Sequence, residues 1–527
     1  MSASDKKKLR AAERAEKMTE KQLAEQKEAK KLKTMTTVFV VILAVMIVFA
    51  AVTAVTKTIE GKGIREKNTV AVTINDQEIS NAELGYYYMG SINEFLNQYG
   101  DYAYLFGLDT TLPLNEQVID EETGRTWADD FIDSAIEYAK SVYALNKEAE
   151  AEGFTLTEAQ LSEIDAAIET QKLYAQLYGY NNLNEYLKAT YGRGAEEESF
   201  RKHVEMTYLS DAYQQHRYDS LTYEDADLRE AEADDYNAYN SYSYNTYYLA
   251  VSSFDDAAAA EAAAKELTAD GINTVEALDA AIAGLSINQD VEDAASTAYS
   301  NTLTGSIYTT YADWITDAAR KAGDVNYFPN TYTSTDENGE ETTTVSGYYV
   351  VMFGSSNDNN FPLVNVRHIL AAFEGGTTDS TTGLTTYSDA EKLAAKAEAT
   401  ALYNEWKDGA ATEDSFASLA NEKSDDGDGT TGGLYENIYP GQMVTAFNDW
   451  CFDASRKAGD TDIVETDYGF HVMYFSGNSD VTYRDYMIED ELRSADYNEW
   501  YNALIESVNY TVGDTKYLNK DLVLSGN

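Results

Sequence analysis

The feature that most constrains this chain is an internal repeat. Residues 314–325 read WITDAARKAGDV and residues 450–461 read WCFDASRKAGDT, identical at eight of twelve positions at an offset of 136. Each copy is followed by a strand-like block, GYYVVMFG at 347–354 and GFHVMYFSG at 469–477. Each is preceded by another, YNTYYLAVS at 244–252 and NVRHILAAF at 365–373. Three blocks in the same order, twice, place two homologous α/β units in tandem. The closing blocks are offset by only 122, so the first unit has a longer hairpin, around TSTDENGEETTT.

Charge divides the rest. Of 527 residues, 91 are Asp or Glu and 39 are Lys or Arg, a formal net charge of −52. Residues 1–33 carry 11 basic and 6 acidic side chains, whereas residues from 57 onward carry 28 and 85. Between them lies TMTTVFVVILAVMIVFAAVTAVT, residues 34–56, with no charge at all. As a helix it would reach ~34 Å, enough for a ~30 Å hydrocarbon core. The expectation is an uncleaved membrane anchor with a cytoplasmic basic tail and an acidic body outside the cell membrane. The competing reading is a cleaved signal peptide, whose charged region and apolar run would normally be shorter. The acidic body argues against nucleic acid as a partner, because phosphate binding needs cations. One Cys, Cys451, excludes an internal disulfide and an N-terminal lipid anchor. It also excludes a multi-Cys zinc site, and no metal or other cofactor is expected.

After a linker at 57–68, VAVTINDQEI (70–79) alternates around an Asn-Asp turn and reads as a hairpin. Ser80 with Glu83 has capping-box spacing. Helical patterns follow at 82–98, 127–152, 158–178, 182–191 and 196–218. A short hairpin followed by amphipathic helices resembles the N-terminal chaperone domain of SurA and PrsA foldases. The resemblance implies that the last segment, 478–527, with a helix at 483–508, returns to that domain. Tyrosines 86–88 and those within 236–248 are expected to offer contact surface.

The second unit carries the chemistry. VRHILAAF, an amphipathic helix at 389–407, FASLANEKSDDGDGTTGGLYENIYPGQMVTAFNDWCFD and GDTDIVETDYGFHVMYF keep the order and spacing of a parvulin-type peptidyl-prolyl isomerase. The resemblance covers about 110 residues. It implies a four-stranded antiparallel sheet with flanking helices, in the order strand–helix–helix–strand–helix–strand–strand. Rotation about an X–Pro bond breaks no bond and needs no nucleophile. It needs a grip on the proline ring and groups that favour the twisted amide over the planar one.

By resemblance, His368 and His471 are the paired core histidines, and Asp426 stands where the family has a Cys or Asp facing the substrate carbonyl. Leu434, Met443 and Phe447 match the apolar proline pocket. Tyr468 stands where the family often has Ser, and its hydroxyl is expected to join the histidine network. Two of only four His therefore fall on the family's histidine positions. Residues 374–391, after the first strand, contain no Lys or Arg, so phosphoserine-proline specificity is not expected. In the first unit, Tyr247 aligns with His368 and Tyr349 with His471, and no SDD…GGL loop is recognisable. It reads as a degenerate module serving as scaffold or peptide-binding surface.

The chain is thus read as α+β. The parts are a tail (1–33), a transmembrane helix (34–56), a SurA-N-like helical domain (69–239), a degenerate parvulin-like module (240–356), a parvulin domain (362–477) and a C-terminal helix (478–527). The expected function is extracytoplasmic prolyl isomerisation and chaperoning of unfolded exported polypeptides, and a homodimer is compatible with it. The alternative is a non-enzymatic holdase or envelope scaffold. Hydrolase motifs such as HExxH and GxSxG are absent from the sequence.

Overall fold

The computed structural model describes residues 5–8, 46, 61–285, 295–335, 339–379, 383–427 and 429–524. The expected membrane span, 34–56, lies outside the described residues except for Met46. Among the described residues no helix is long and apolar enough to cross a membrane. The chain forms two compact units, residues 1–221 with 497–527, and residues 222–496.

In the first unit a short helix at Ile64–Asn68 precedes a hairpin of β1 (Val70–Ile74) and β2 (Gln77–Ser80). Asn75 takes the left-handed conformation (φ 50) that the tight turn requires. Ser80 and Glu83 form a complete capping box at the start of α1 (Asn81–Tyr99). Four helices follow: α2 (Trp127–Glu152), α3 (Glu158–Leu177), α4 (Leu183–Tyr191) and α5 (Glu197–Asp219). Phe131, Ile132, Ala135, Ile136, Ala139 and Val142 form the buried stripe of α2. Their i, i+3, i+4 spacing puts them on one face, against β1 and α1. The strand Tyr510–Val512 pairs antiparallel with Val72–Ile74 and completes the first sheet. Tyr86, Tyr87 and Tyr88 correct the expectation of a tyrosine surface here: each is at most 2% exposed, in the core around α1. Exposed apolar side chains lie instead between α1 and α2, at Tyr102, Tyr104, Leu105, Phe106, Val118 and Ile119.

The second unit contains two four-stranded antiparallel sheets with the same topology. The first comprises β3 (Ser241–Ala250), β4 (Thr297–Leu303), β5 (Val325–Thr335) and β6 (Glu341–Asn357). Its order is β4-β3-β6-β5. Helices α6 (Ala257–Glu266) and α7 (Val275–Ala283) cover one face, and α8 (Thr309–Thr316) the other. The second sheet comprises β7 (Pro362–Ala372), β8 (Leu434–Ile438), β9 (Thr461–Glu465) and β10 (Gly469–Thr482). Its order, β8-β7-β10-β9, repeats that of the first. Helices α9 (Asp389–Asp408) and α10 (Glu413–Lys423) lie on one side and α11 (Thr445–Cys451) on the other. The longer first hairpin is the extension of β5 and β6, which stay paired out to Thr335 and Glu341.

The repeated motif is a structural plug in both sheets. In the first copy the Gly323 N–H donates to the Phe353 carbonyl and the Phe353 N–H to the Asp324 carbonyl, both at 2.8 Å. In the second, Gly459 and Asp460 make the same pair of bonds with Phe475, at 2.8 and 2.9 Å. The Asp324 and Asp460 carboxylates accept from the N–H groups of Lys321 and Lys457 at 3.0 and 2.8 Å. Arg320 and Arg456 lie over Trp314 and Trp450 at 5.0 and 4.0 Å. The Gly-Asp end of each motif therefore holds the closing strand of its sheet, at Phe353 and Phe475.

Candidate active site

The second sheet separates its two faces by strand alternation. Ile369 and Ala371 of β7, with Phe470 and Val472 of β10, pack among residues of α9 and α10. Val364 and Val366 of β7, with Met473 and Phe475 of β10, pack among Phe447, Trp450 and Cys451 of α11. His368 and His471 continue the second set, since Met473 pairs with His368 and Leu370 with His471. The two imidazoles thus meet on the α11 side, with Nδ1 facing Nδ1 at 3.0 Å. They are 3% and 6% exposed.

Their hydrogen bonds form one chain. His368 Nε2 lies 3.0 Å from Asp426 Oδ2. A carboxylate only accepts, so His368 carries its proton on Nε2 and accepts at Nδ1. His471 must then donate from Nδ1, which leaves its Nε2 to accept from the Thr466 hydroxyl at 2.9 Å. Thr466 Oγ1 in turn accepts from the Tyr468 N–H at 3.2 Å. The Tyr435 hydroxyl donates to the same Asp426 Oδ2 at 3.0 Å. Both imidazoles are neutral in this arrangement. Burial holds His471 down at about 4, with His368 adding to the effect and Asp426 opposing it. Burial also lowers His368, against the pull of Asp426.

Asp426 is brought to the histidines by backbone ties. The Asp425 N–H donates to the Leu370 carbonyl at 3.0 Å, and its carboxylate accepts from Ala372 N–H at 2.9 Å. At the far end of the loop, the Gly433 carbonyl accepts from His368 N–H at 2.9 Å. Gly433 has φ +63, and a Cβ there would stand 2.1 Å from the His368 carbonyl oxygen. Only glycine allows this loop to lie so close to β7.

Phe447 sets its ring edge-on to both imidazoles, with centroids 5.5 Å from each. Met443 is half-buried against the same apolar cluster. Cys451 is buried in it, and burial pushes its thiol up to about 12, which makes it an inert apolar group here.

Two assignments are corrected. Leu434 pairs with Arg367 and therefore shares its face, opposite His368. The next residue, Tyr435, pairs with Val366 and takes the histidine face, its ring centroid 5.1 Å from that of His368. Tyr468 is 64% exposed and contributes its backbone N–H rather than its hydroxyl. It lies in the turn before β10, where the side chain points to solvent. Thr466 supplies the hydroxyl that meets His471. A Thr two residues before a backbone reversal is a turn signal, which could have singled it out.

The first module keeps the frame without these groups. Tyr349 pairs with Tyr248, and Val351 with Thr246. By closing-strand alignment, Tyr349 and Val351 correspond to His471 and Met473. Thr246, rather than Tyr247, therefore stands in the place of His368. Tyr247 is turned to the other face, among α6 and α7 residues. At the offset of 136, Ile307 and Tyr311 replace Met443 and Phe447.

Residues 348–478 match the PPIC-type PPIASE domain; the match opens in β6 and closes in β10. No curated protein matches the chain significantly. Among solved structures, PrsA of Bacillus subtilis is similar at 14% identity over 74% of this chain and 90% of that one, with a TM-score of 0.27. PrsA of Bacillus anthracis, a peptidylprolyl isomerase, is similar at 20% identity over 28% of this chain, with a TM-score of 0.18. The chain spans 59% of that protein's length. A structure of SurA-like chaperones from Campylobacter jejuni is similar at 14% identity over 82% of this chain and 94% of that one, with a TM-score of 0.16. With its site geometry and its family match, the second module of this chain is a parvulin-type peptidyl-prolyl cis/trans isomerase domain.

Proposed function

We propose that the chain is a membrane-anchored foldase that binds unfolded exported polypeptides and speeds their prolyl isomerisation at the second module. The observation that carries this reading is the Asp426–His368–His471–Thr466 chain beside Phe447. Phe447 and Met443 supply an apolar grip for the proline ring. The fixed dipoles beside it act on the amide as its carbonyl and nitrogen lose their resonance. Neutral, interlocked histidines serve to keep that surface rigid, and rigidity costs nothing further during the rotation. No covalent step is involved, so the substrate's own bond rotation is the whole reaction.

Client binding is assigned to the first unit. It carries the exposed apolar side chains between α1 and α2. It also holds a cleft of about 750 Å³ lined by Ile74, Tyr143, Phe154, Met206 and Leu209. Both suit unfolded segments, whose apolar side chains are uncovered. The first parvulin-like module acts as scaffold or peptide-binding surface. The apolar run at 34–56 and the basic tail before it support a single-pass anchor with the body outside the cell. The mass of the mature N-terminus tests that placement, and cleavage after residue 56 would refute it.

A peptide prolyl-isomerase assay on the full chain tests the activity. His471→Ala and Asp426→Ala should each lose most of the rate while circular dichroism stays unchanged. A wild-type rate no higher than buffer would sink the reading and leave a holdase, whose suppression of client aggregation would persist in both variants.

A further inference from the structure

The hydrogen-bond chain through the histidine pair could run in either direction. Reversed, the chain holds one proton more, taken up from solvent at Asp426: the protonated carboxyl would donate to His368 Nε2, His368 Nδ1 to His471 Nδ1, and His471 Nε2 to Thr466. Every bond between those four side chains would still be made. The Tyr468 N–H at the far end does not choose between the two, because a hydroxyl oxygen has two lone pairs and accepts in either case. The near end does choose. Tyr435 O–H and His368 Nε2 converge on one oxygen, Asp426 Oδ2, both at 3.0 Å. In the reversed chain that oxygen would carry the proton and be a poorer acceptor for the phenol.

Tyr435 is held where it can do this. Its register with Val366 fixes the ring beside His368. Its side chain reaches Asp426 from strand β8, independently of the loop that carries Asp426. Burial, with Asp426 adding to it, raises the Tyr435 phenol, so it stays a donor throughout the physiological range. The loop is tied to β7 by the Ser424 hydroxyl, which accepts from the Leu370 N–H, and by the Asp425 N–H, which donates to the Leu370 carbonyl, while Gly427 and Gly429 on the far side of Asp426 have φ +85 and +71. The carboxylate is therefore oriented by its side-chain donors.

We propose that Tyr435 is a positioning residue that sets the direction of the hydrogen-bond chain, and with it the tautomers of both histidines. Its position on the prolyl face rests on the active-site reading above; its effect on the tautomers does not. Only four histidines exist in the chain, so imidazole ¹⁵N signals of the full chain can be assigned with His203→Gln and His216→Gln variants. Wild type should show His368 protonated at Nε2 and His471 at Nδ1, one set of signals each. Tyr435→Phe keeps the ring and removes the O–H. As the pH is lowered it should give a second or averaged set for both imidazoles at a pH where wild type still shows one. It should also lower kcat about threefold or more, with KM within twofold of wild type. In an Asp426→Ala background the same substitution should add no further loss. Wild-type imidazole signals in Tyr435→Phe, or losses that multiply in the double variant, would overturn the proposal. An inactive wild type would refute the active-site reading, while the ¹⁵N comparison would still decide the role of Tyr435.

Discussion

The two modules of the second unit share strand order, flanking helices and the plug built on Trp, Arg, Gly and Asp, yet only one has a histidine pair. The residues most alike in sequence are those that fix β6 and β10 into their sheets, namely Gly323 and Asp324 against Gly459 and Asp460. The residues that differ lie on the α8 and α11 faces: Thr246 and Tyr349 against His368 and His471. The frame is thus a packing solution that stands without the site. Fold identity alone says nothing of catalysis, which has to be read from the side chains on one face.

The comparison can be broken most forcefully with acid. The first module contains no histidine, whereas His471 of the second sits near 4 in the folded state. An unfolded histidine titrates near ~6.5. Below that pH the unfolded chain binds a proton that the folded module refuses, so stability falls as pH drops from about 6.5 towards 4. One such group accounts for about 3 kcal/mol over that window. Opening free energies from hydrogen exchange should fall for β7 and β10 and stay level for β3 and β6. A parallel fall in both sheets would show that the histidines are not its source.

A second contrast concerns the aromatic pair related by the offset of 136. Phe447→Leu should lower kcat/KM roughly tenfold, equivalent to about 1.4 kcal/mol, mainly through KM. Tyr311→Leu should leave the rate within about twofold, because no catalytic groups face it. Equal losses would mean that the first module also takes part in turnover. The smallest effect tests the shared plug. Asp324→Ala and Asp460→Ala each remove a carboxylate that accepts a turn N–H. Each should cost about 1 kcal/mol in denaturant unfolding, alike in the two modules and without effect on KM. A change in KM for Asp460→Ala alone would make the plug part of the site.

Much of this arrangement was legible in the sequence, for physical reasons. Helices α1 to α5 announced themselves by apolar spacing and caps, as at Ser80 and Glu83. His368, His471, Asp426, Met443 and Phe447 sit in blocks whose order fixed them in one module, and the structure brings their side chains to one face. Two of the differences are shifts of a single residue. Tyr435 rather than Leu434, and Thr246 rather than Tyr247, takes the site face, because a strand shows opposite faces at successive residues. The strands involved are irregular: β8 breaks register between Tyr435 and Ile438, and β3 between Ser243 and Tyr244. Alternation counted across such a break gives the wrong face, and only the pairing partner corrects it. The Thr466 hydroxyl carries no periodic signal, because it lies in a turn. The strand β4 carries no apolar alternation, because TAYSNTL lies along an exposed edge.

The pairing of Tyr510–Val512 with Val72–Ile74 has a consequence for the order in which the chain is made. The partners are more than 430 residues apart, and residues 222–496 come between them as a compact unit of their own. On a ribosome, which delivers the chain from its N-terminus, β1 and β2 emerge first and wait for their third strand until residue 512 has been made. The isomerase module has all of its own strands before that moment. A complete sheet in the first unit therefore requires all of residues 222–496 to have been made, and a chain cut off after residue 496 would hold both sheets of the second unit but only two of that sheet's three strands.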